Sequence, residues 1–175
     1  MAVVDRVLNP SSAWKTIIVD VCILSFVYFI PTLSHLTAIP FYYFEPMRIA
    51  LFVSILFLRD RNNAYILAIT LPLFSYLVAG HPVVVKNAIM AIELFVNVLI
   101  LCRLLDRKIS CFLSCFLAIL VSKLIYYGLK YTAISVGWLN SGLIDTSVFV
   151  QISIAFLLSL LFWVVYYNRN NQVNG

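Results

Sequence analysis

The chain has 175 residues, of which 63% are hydrophobic and only 11% are charged. A soluble domain carries about a quarter charged residues, so this composition excludes an ordinary soluble protein and indicates a polytopic membrane protein. The net charge of +5 comes mostly from basic residues beside the apolar segments. That pattern is a membrane topology signal, and it gives no reason to expect nucleic acid as a partner.

Apolar segments separated by short polar connections run through almost the whole chain. A membrane-spanning helix needs about 20 apolar residues, fewer where neighbouring helices shield it. The sequence predicts six transmembrane helices, at residues 14–32, 46–58, 64–79, 83–105, about 109–134 and about 144–167. We expect residues 33–45, which are rich in aromatic rings, to form a loop at the membrane interface, and residues 168–175 to be a disordered tail. The predicted fold is all-α, with one membrane domain over residues 1–175.

The basic residues are distributed unequally between the two sides of the predicted bundle. With the N-terminus inside, eight of the twelve lie on the cytoplasmic side: Arg6, Lys15, Arg59, Arg61, Arg103, Arg107, Lys108 and Arg169. Arg48, Lys86 and Lys130 lie on the other side, with Lys123 deeper in the fifth helix. Since cytoplasmic loops carry an excess of Lys and Arg, both termini are predicted to be cytoplasmic in a multi-pass cell (inner or plasma) membrane protein.

The outer half of the helices carries most of the remaining polar side chains, whereas the inner half is nearly pure hydrocarbon apart from Asp20. Lys86, Glu93 and Asn97 lie within about 40° of one another on one face of the fourth helix, because seven residues turn a helix by about 700°. Ionisable groups at this depth are costly in lipid and by default indicate a functional site.

Lys123, Tyr127 and Lys130 share a face of the fifth helix, and Glu93 and Lys123 lie at roughly matching depths, so we expect these two to pair. Two interpretations are open. The pair is purely structural, or it lines an outward-facing pocket for a small-molecule substrate. In the second interpretation the substrate-binding residues are Lys86, Glu93, Asn97, Lys123, Tyr127, Lys130, Asp145 and Gln151.

Motifs of enzymes and metal sites are missing from the sequence. It has no Gly-rich phosphate loop, no HExxH and no GxSxG motif, and His35 and His81 lack metal-ligand spacing. The four cysteines fall in or beside apolar segments, where they are expected to serve as packing residues. The sequence therefore predicts a protein that is not an enzyme and that uses no metal or cofactor.

The layout of the chain resembles the substrate-binding S components of energy-coupling factor (ECF) vitamin transporters. The shared features are six short spans, a long first outer loop and polar residues in the outer half of the last three helices. The segment Gly80-His81-Pro82, followed by Lys86 and Glu93, resembles the third-loop and fourth-helix region of such proteins. One departure is the first helix, which has only Cys22 and Ser25 as small residues in its middle, whereas many S components space small residues four apart there.

The resemblance implies that a micronutrient is captured at the outer face, with residues 33–45 acting as a gate. It also implies that the protein lies among membrane lipids and acts together with a transmembrane coupling subunit and cytoplasmic ATPases. This chain itself would have no ATPase activity. The alternative is an envelope or cell-shape scaffold resembling MreD, which has similar size and hydropathy. Such a scaffold binds protein partners and needs no deep outer pocket. A third class is a membrane protein that handles lipids or assembles polysaccharide.

Overall fold

The computed structural model describes residues 10–37, 41–58, 60–79, 84–140, 142–144 and 147–174. Within these ranges all the regular secondary structure is helical, with six α-helices and no strand, which confirms the predicted all-α fold. The α-helices are α1 (Pro10–Thr37), α2 (Pro46–Leu58), α3 (Arg61–Ala79), α4 (Val84–Asp106), α5 (Cys111–Ser135) and α6 (Val148–Asn174). A short 3₁₀ helix, Phe41–Phe44, lies between α1 and α2.

Four helical segments of the described chain are long and apolar enough to cross a membrane: Trp14–Ser34, Val84–Asp106, Cys111–Ser135 and Val148–Asn168. They support a multi-pass membrane protein. Helix α2 is apolar but has only 13 residues, fewer than the about 20 that usually span a bilayer. Helix α3 begins with Arg61-Asn62-Asn63, and these polar residues shorten its apolar length. The predicted six spans and cytoplasmic termini stay predictions.

The predicted helix boundaries hold best for α2, α4 and α5, and they are wrong at two places. Helix α1 continues through Pro31 to Thr37, so the first part of the expected 33–45 loop is helical. One proline removes a single helical hydrogen bond, and transmembrane helices tolerate this loss. Helix α6 runs to Asn174, so the expected disorder of residues 168–174 is also wrong. These residues contain no Gly or Pro that would end the helix.

The chain divides into two compact units, Met1–Asp60 and Arg61–Gly175, and each is described by itself. In the first unit, α1 packs against the 3₁₀ helix and α2. Ile23, Val27 and Ile30 are buried, and their spacing of four and three residues places them on one stripe of α1. Leu51 and Phe52 of α2 are buried as well. The single domain over residues 1–175 stays a prediction.

In the second unit, each helix packs against the next along the chain, α3 with α4, α4 with α5 and α5 with α6. The α4–α5 pair is central, and Val98, Leu101, Ala118 and Ile119 are almost completely buried. Many apolar side chains of α6 point outward, as expected for a helix in contact with lipid tails. The packing brings the starts of α4 and α6 to the same end of the unit as the end of α5, since consecutive helices run in opposite directions.

Candidate functional site

An ion pair joins the two central helices. The Glu93 Oε1 atom of α4 lies 3.3 Å from the Lys123 Nζ atom of α5, and the two side chains are 7% and 23% exposed, respectively. The Lys123 Nζ atom also lies 5.6 Å from the centre of the Tyr126 ring, a cation–π arrangement. The expected Glu93–Lys123 pair is therefore present, whereas the role of these residues in substrate binding stays a prediction.

Asn97 lies one helical turn after Glu93 and is completely buried. Its Nδ2 atom donates a long hydrogen bond of 3.4 Å to the Ser122 Oγ atom of α5. The Ser122 hydroxyl in turn donates to the Ile119 carbonyl oxygen at 2.9 Å. Because a serine hydroxyl has only one proton, the Ser122 oxygen that donates to Ile119 accepts from the Asn97 amide. The Asn97 Oδ1 atom has no hydrogen-bond partner among the described residues.

A side-chain hydrogen bond connects α5 with α6. The Gln151 Nε2 atom donates to the Tyr127 hydroxyl oxygen. The Tyr127 ring meets the Tyr126 ring edge to face, with centroids 5.3 Å apart. Polar and aromatic contacts thus run without interruption from Glu93 through Lys123, Tyr126 and Tyr127 to Gln151. We call these five residues the polar chain; it crosses α4, α5 and α6.

The two remaining lysines lie nearer the end of the unit where α4 begins and α5 ends. Lys130 is only 2% exposed, and Lys86 is half-buried. Both interact with their surroundings. A small apolar cluster of Ile89, Ala133 and Leu139 is buried at the same end. The two lysines therefore lie at an end of the unit that also holds buried apolar side chains.

Two parts of the predicted site lie outside the described residues. Asp145 is one of them, and the Gly80-His81-Pro82 turn is the other. Of the eight residues predicted to bind substrate, the structure describes seven. It brings Glu93, Lys123, Tyr127 and Gln151 into the polar chain, with Asn97 one turn away.

Three residues of this region were not among the predicted site residues. Asn87 of α4 is 8% exposed, and its Oδ1 atom has no hydrogen-bond partner in the described part of the chain. It lies about 120° around the helix from Glu93, so the shared-face argument did not include it. Ser122 carries no charge, and only its place beside Lys123 could have indicated it. Tyr126 is the neighbour of Tyr127 and supplies the ring beneath Lys123.

The first unit has a separate buried charge. The Arg48 guanidinium is 2% exposed and donates to the Glu45 carboxylate. Glu45 directly precedes α2, and its backbone carbonyl accepts from the Arg48 and Ile49 amides at 2.9 and 3.2 Å. Glu45 has a φ of 53°, which is uncommon for a residue other than glycine.

A second ion pair in the Arg61–Gly175 unit is exposed. The Arg61 guanidinium makes a bidentate contact with the Asp106 carboxylate, at 2.7 and 2.5 Å, between the start of α3 and the end of α4. Both side chains are more than half exposed. The hydrogen bond to Asp106 raises the pKa of Arg61. Arg61 is charged at any physiological pH with or without this bond.

No family model matches the chain, and no curated protein or solved structure shows significant similarity to it. The four cysteines are free thiols. Among the described residues, no three His, Cys, Asp or Glu side chains are grouped as a metal ion would require. The chemistry of the polar chain is therefore the basis for assigning a function.

Proposed function

We propose that this protein is a membrane-embedded subunit that binds a micronutrient or related small molecule at the outer face, for import by an ECF-type transporter. The observation that supports the proposal is the polar chain across α4, α5 and α6. An ion pair that only holds two helices together needs Glu93 and Lys123 alone. Polar groups at membrane depth are costly, so their extension to a third helix favours a binding site.

The proposal includes six spans, with both termini in the cytoplasm and the polar chain in the outer half of the bundle. Substrate would be bound by the predicted residues of α4, α5 and α6. Membrane lipids and a transmembrane coupling subunit would cover the apolar side chains of α1, since only 17% of its membrane-spanning window is buried. Cytoplasmic ATPases would drive import, because the sequence contains no phosphate-binding motif of its own.

Native mass spectrometry of the protein purified in mild detergent tests the proposal. We expect wild-type protein to carry a small-molecule adduct, and the Glu93→Gln and Lys123→Met variants to lose it. Ser159→Ala is a suitable control, because this buried hydroxyl of α6 donates to the Ala155 carbonyl of its own helix. The control should keep the adduct. An empty wild-type protein whose stability no vitamin changes would count against a binding role.

A second candidate is an envelope scaffold resembling MreD. The buried apolar cluster of Ile89, Ala133 and Leu139 favours it, because a solidly packed helix end needs no ligand. A scaffold predicts that envelope proteins copurify with the chain. It also predicts that substitutions in the polar chain affect stability but not the copurification of these partners. Copurification from cells that express wild-type or Lys123→Met protein distinguishes the two candidates.

A further inference from the structure

The Asn97 carbonyl oxygen is an acceptor without a donor. Asn97 has no exposed surface, and its amide nitrogen is already bonded to Ser122. The Ser122 hydroxyl is directed to the Ile119 carbonyl, so its oxygen faces the amide nitrogen of Asn97 and not the Asn97 carbonyl. The Oδ1 atom therefore remains unsatisfied within the described part of the chain.

Buried amide oxygens are almost always hydrogen-bonded, and the exceptions call for a functional explanation. The closest polar group along α4 is Glu93, one turn earlier, and its carboxylate is also an acceptor. Lys123 already donates to that carboxylate at 3.3 Å. The Glu93 carboxylate thus already has a donor while the Asn97 oxygen has none, and a ligand group that suits this oxygen must supply one.

We infer that the deep end of the proposed binding site takes an uncharged N–H group of the ligand, such as a carboxamide or an amino group on an aromatic ring. A carboxylate or phosphate placed there would offer the Asn97 oxygen no N–H donor, and the nearby Lys123 ammonium is already paired with Glu93. A cationic amine would compete with Lys123 for Glu93. This inference rests on the proposed function and specifies the chemistry of the substrate.

The first test needs no ligand. Leucine has the same branching and the same number of side-chain heavy atoms as asparagine and lacks the unsatisfied oxygen, so Asn97→Leu should raise the unfolding temperature of adduct-free protein by a few degrees. Asn63→Leu is the matched control, since Asn63 is also a buried asparagine, at 8% exposure, and interacts with its surroundings. It should lower that temperature. An unchanged or lower unfolding temperature for Asn97→Leu would overturn the inference.

The second test uses three aromatic probes of nearly equal size, namely benzamide, benzoate and methyl benzoate, at millimolar concentration. Only benzamide donates N–H groups without a charge, so it alone should raise the unfolding temperature of wild-type protein. Asn97→Leu should abolish this shift. A shift with benzoate equal to or larger than that with benzamide would overturn the inference, as would no shift with any probe. An adduct in the mass spectrum would still support the proposed function in either case, so the two failures are distinguishable.

Discussion

Glu93 and Lys123 form a 3.3 Å ion pair between α4 and α5 in which the carboxylate is the more deeply buried partner, at 7% exposure against 23% for the lysine. Lys123 is therefore closer to the surface of the unit than Glu93. Lys123 has a second contact over the Tyr126 ring, whereas Glu93 lies in the interior of the helix pair. Loss of the lysine therefore leaves a buried acid.

Lys123→Met should destabilise the protein by about 3 kcal/mol, because it removes the cationic partner of a buried carboxylate. The double variant Glu93→Gln/Lys123→Met should recover a large part of that loss. Chemical unfolding in detergent measures both free energies. Asp106→Asn is the control, because its partner Arg61 and Asp106 itself are more than half exposed, and it should change stability little. Additive effects of the Glu93 and Lys123 substitutions would show that the two groups are not coupled.

Tyr127→Phe removes the hydroxyl that accepts from Gln151 and should cost about 1 kcal/mol of the unfolding free energy. The cost arises because the Gln151 amide loses this partner in a partly buried position. Gln151→Leu in the Tyr127→Phe background should restore part of the stability, since the amide group that lost its Tyr127 contact is then gone. If Tyr127→Phe is as stable as wild type, the α5–α6 hydrogen bond does not contribute to folding.

The ends of α4 and α5 share one backbone motif but carry different residues. At the end of α4, the Lys108 and Ile109 amides donate to the Leu105 and Leu104 carbonyls, and Lys108 has a φ of 56°. Gly137 has a φ of 80° at the equivalent position after α5. These are Schellman motifs, in which glycine is favoured because the left-handed conformation crowds a Cβ atom.

Lys108→Gly should therefore stabilise the protein by about 1 kcal/mol, and Gly137→Ala should destabilise it by a similar amount. A Cβ atom at Gly137 would meet no neighbouring atom within 4 Å, so the expected loss comes from the backbone alone. Thermal unfolding of both variants in the same detergent is the measurement. The two substitutions should change the stability in opposite directions. If both stabilise the protein, the left-handed conformation of the Schellman motif is not the cause.

The proposed topology predicts which loops a membrane-impermeant maleimide reaches in intact cells. In a background without the four native cysteines, Asn140→Cys should be labelled from outside, because it lies in the connection between α5 and α6. Lys108→Cys should be labelled only after the cells are opened. Both positions are exposed, so opened cells provide the control for reactivity. The reverse labelling pattern would place the polar chain on the cytoplasmic side.

The sequence predicts the helices well where hydropathy and helix breakers agree. Pro46 and the polar residues after Leu58 bound α2 on both sides, and the structure has the predicted ends. Pro31 is misleading, because the local cost of a proline did not stop α1 from continuing to Thr37. The end of α6 was missed for the opposite reason, since polar residues alone do not end a helix.

The position of each residue along its helix and the helix face on which it lies are enough to predict the Glu93–Lys123 pair. Both residues carry charge and lie on adjacent helices. The same two properties do not predict that Asn87 and Ser122 belong to this region. Both are uncharged, and their burial depends on the packing of α4 against α5. The unsatisfied Asn97 oxygen likewise depends on the acceptor to which Ser122 directs its one proton, and that follows only from the three-dimensional arrangement.

Native mass spectrometry of the detergent-purified protein tests the central claim most directly. A small-molecule adduct on wild-type protein that is lost in Lys123→Met and kept in Ser159→Ala is the predicted result. A wild-type protein without any adduct, and with the same unfolding temperature across a panel of vitamins, would contradict the proposal that the polar chain binds a substrate.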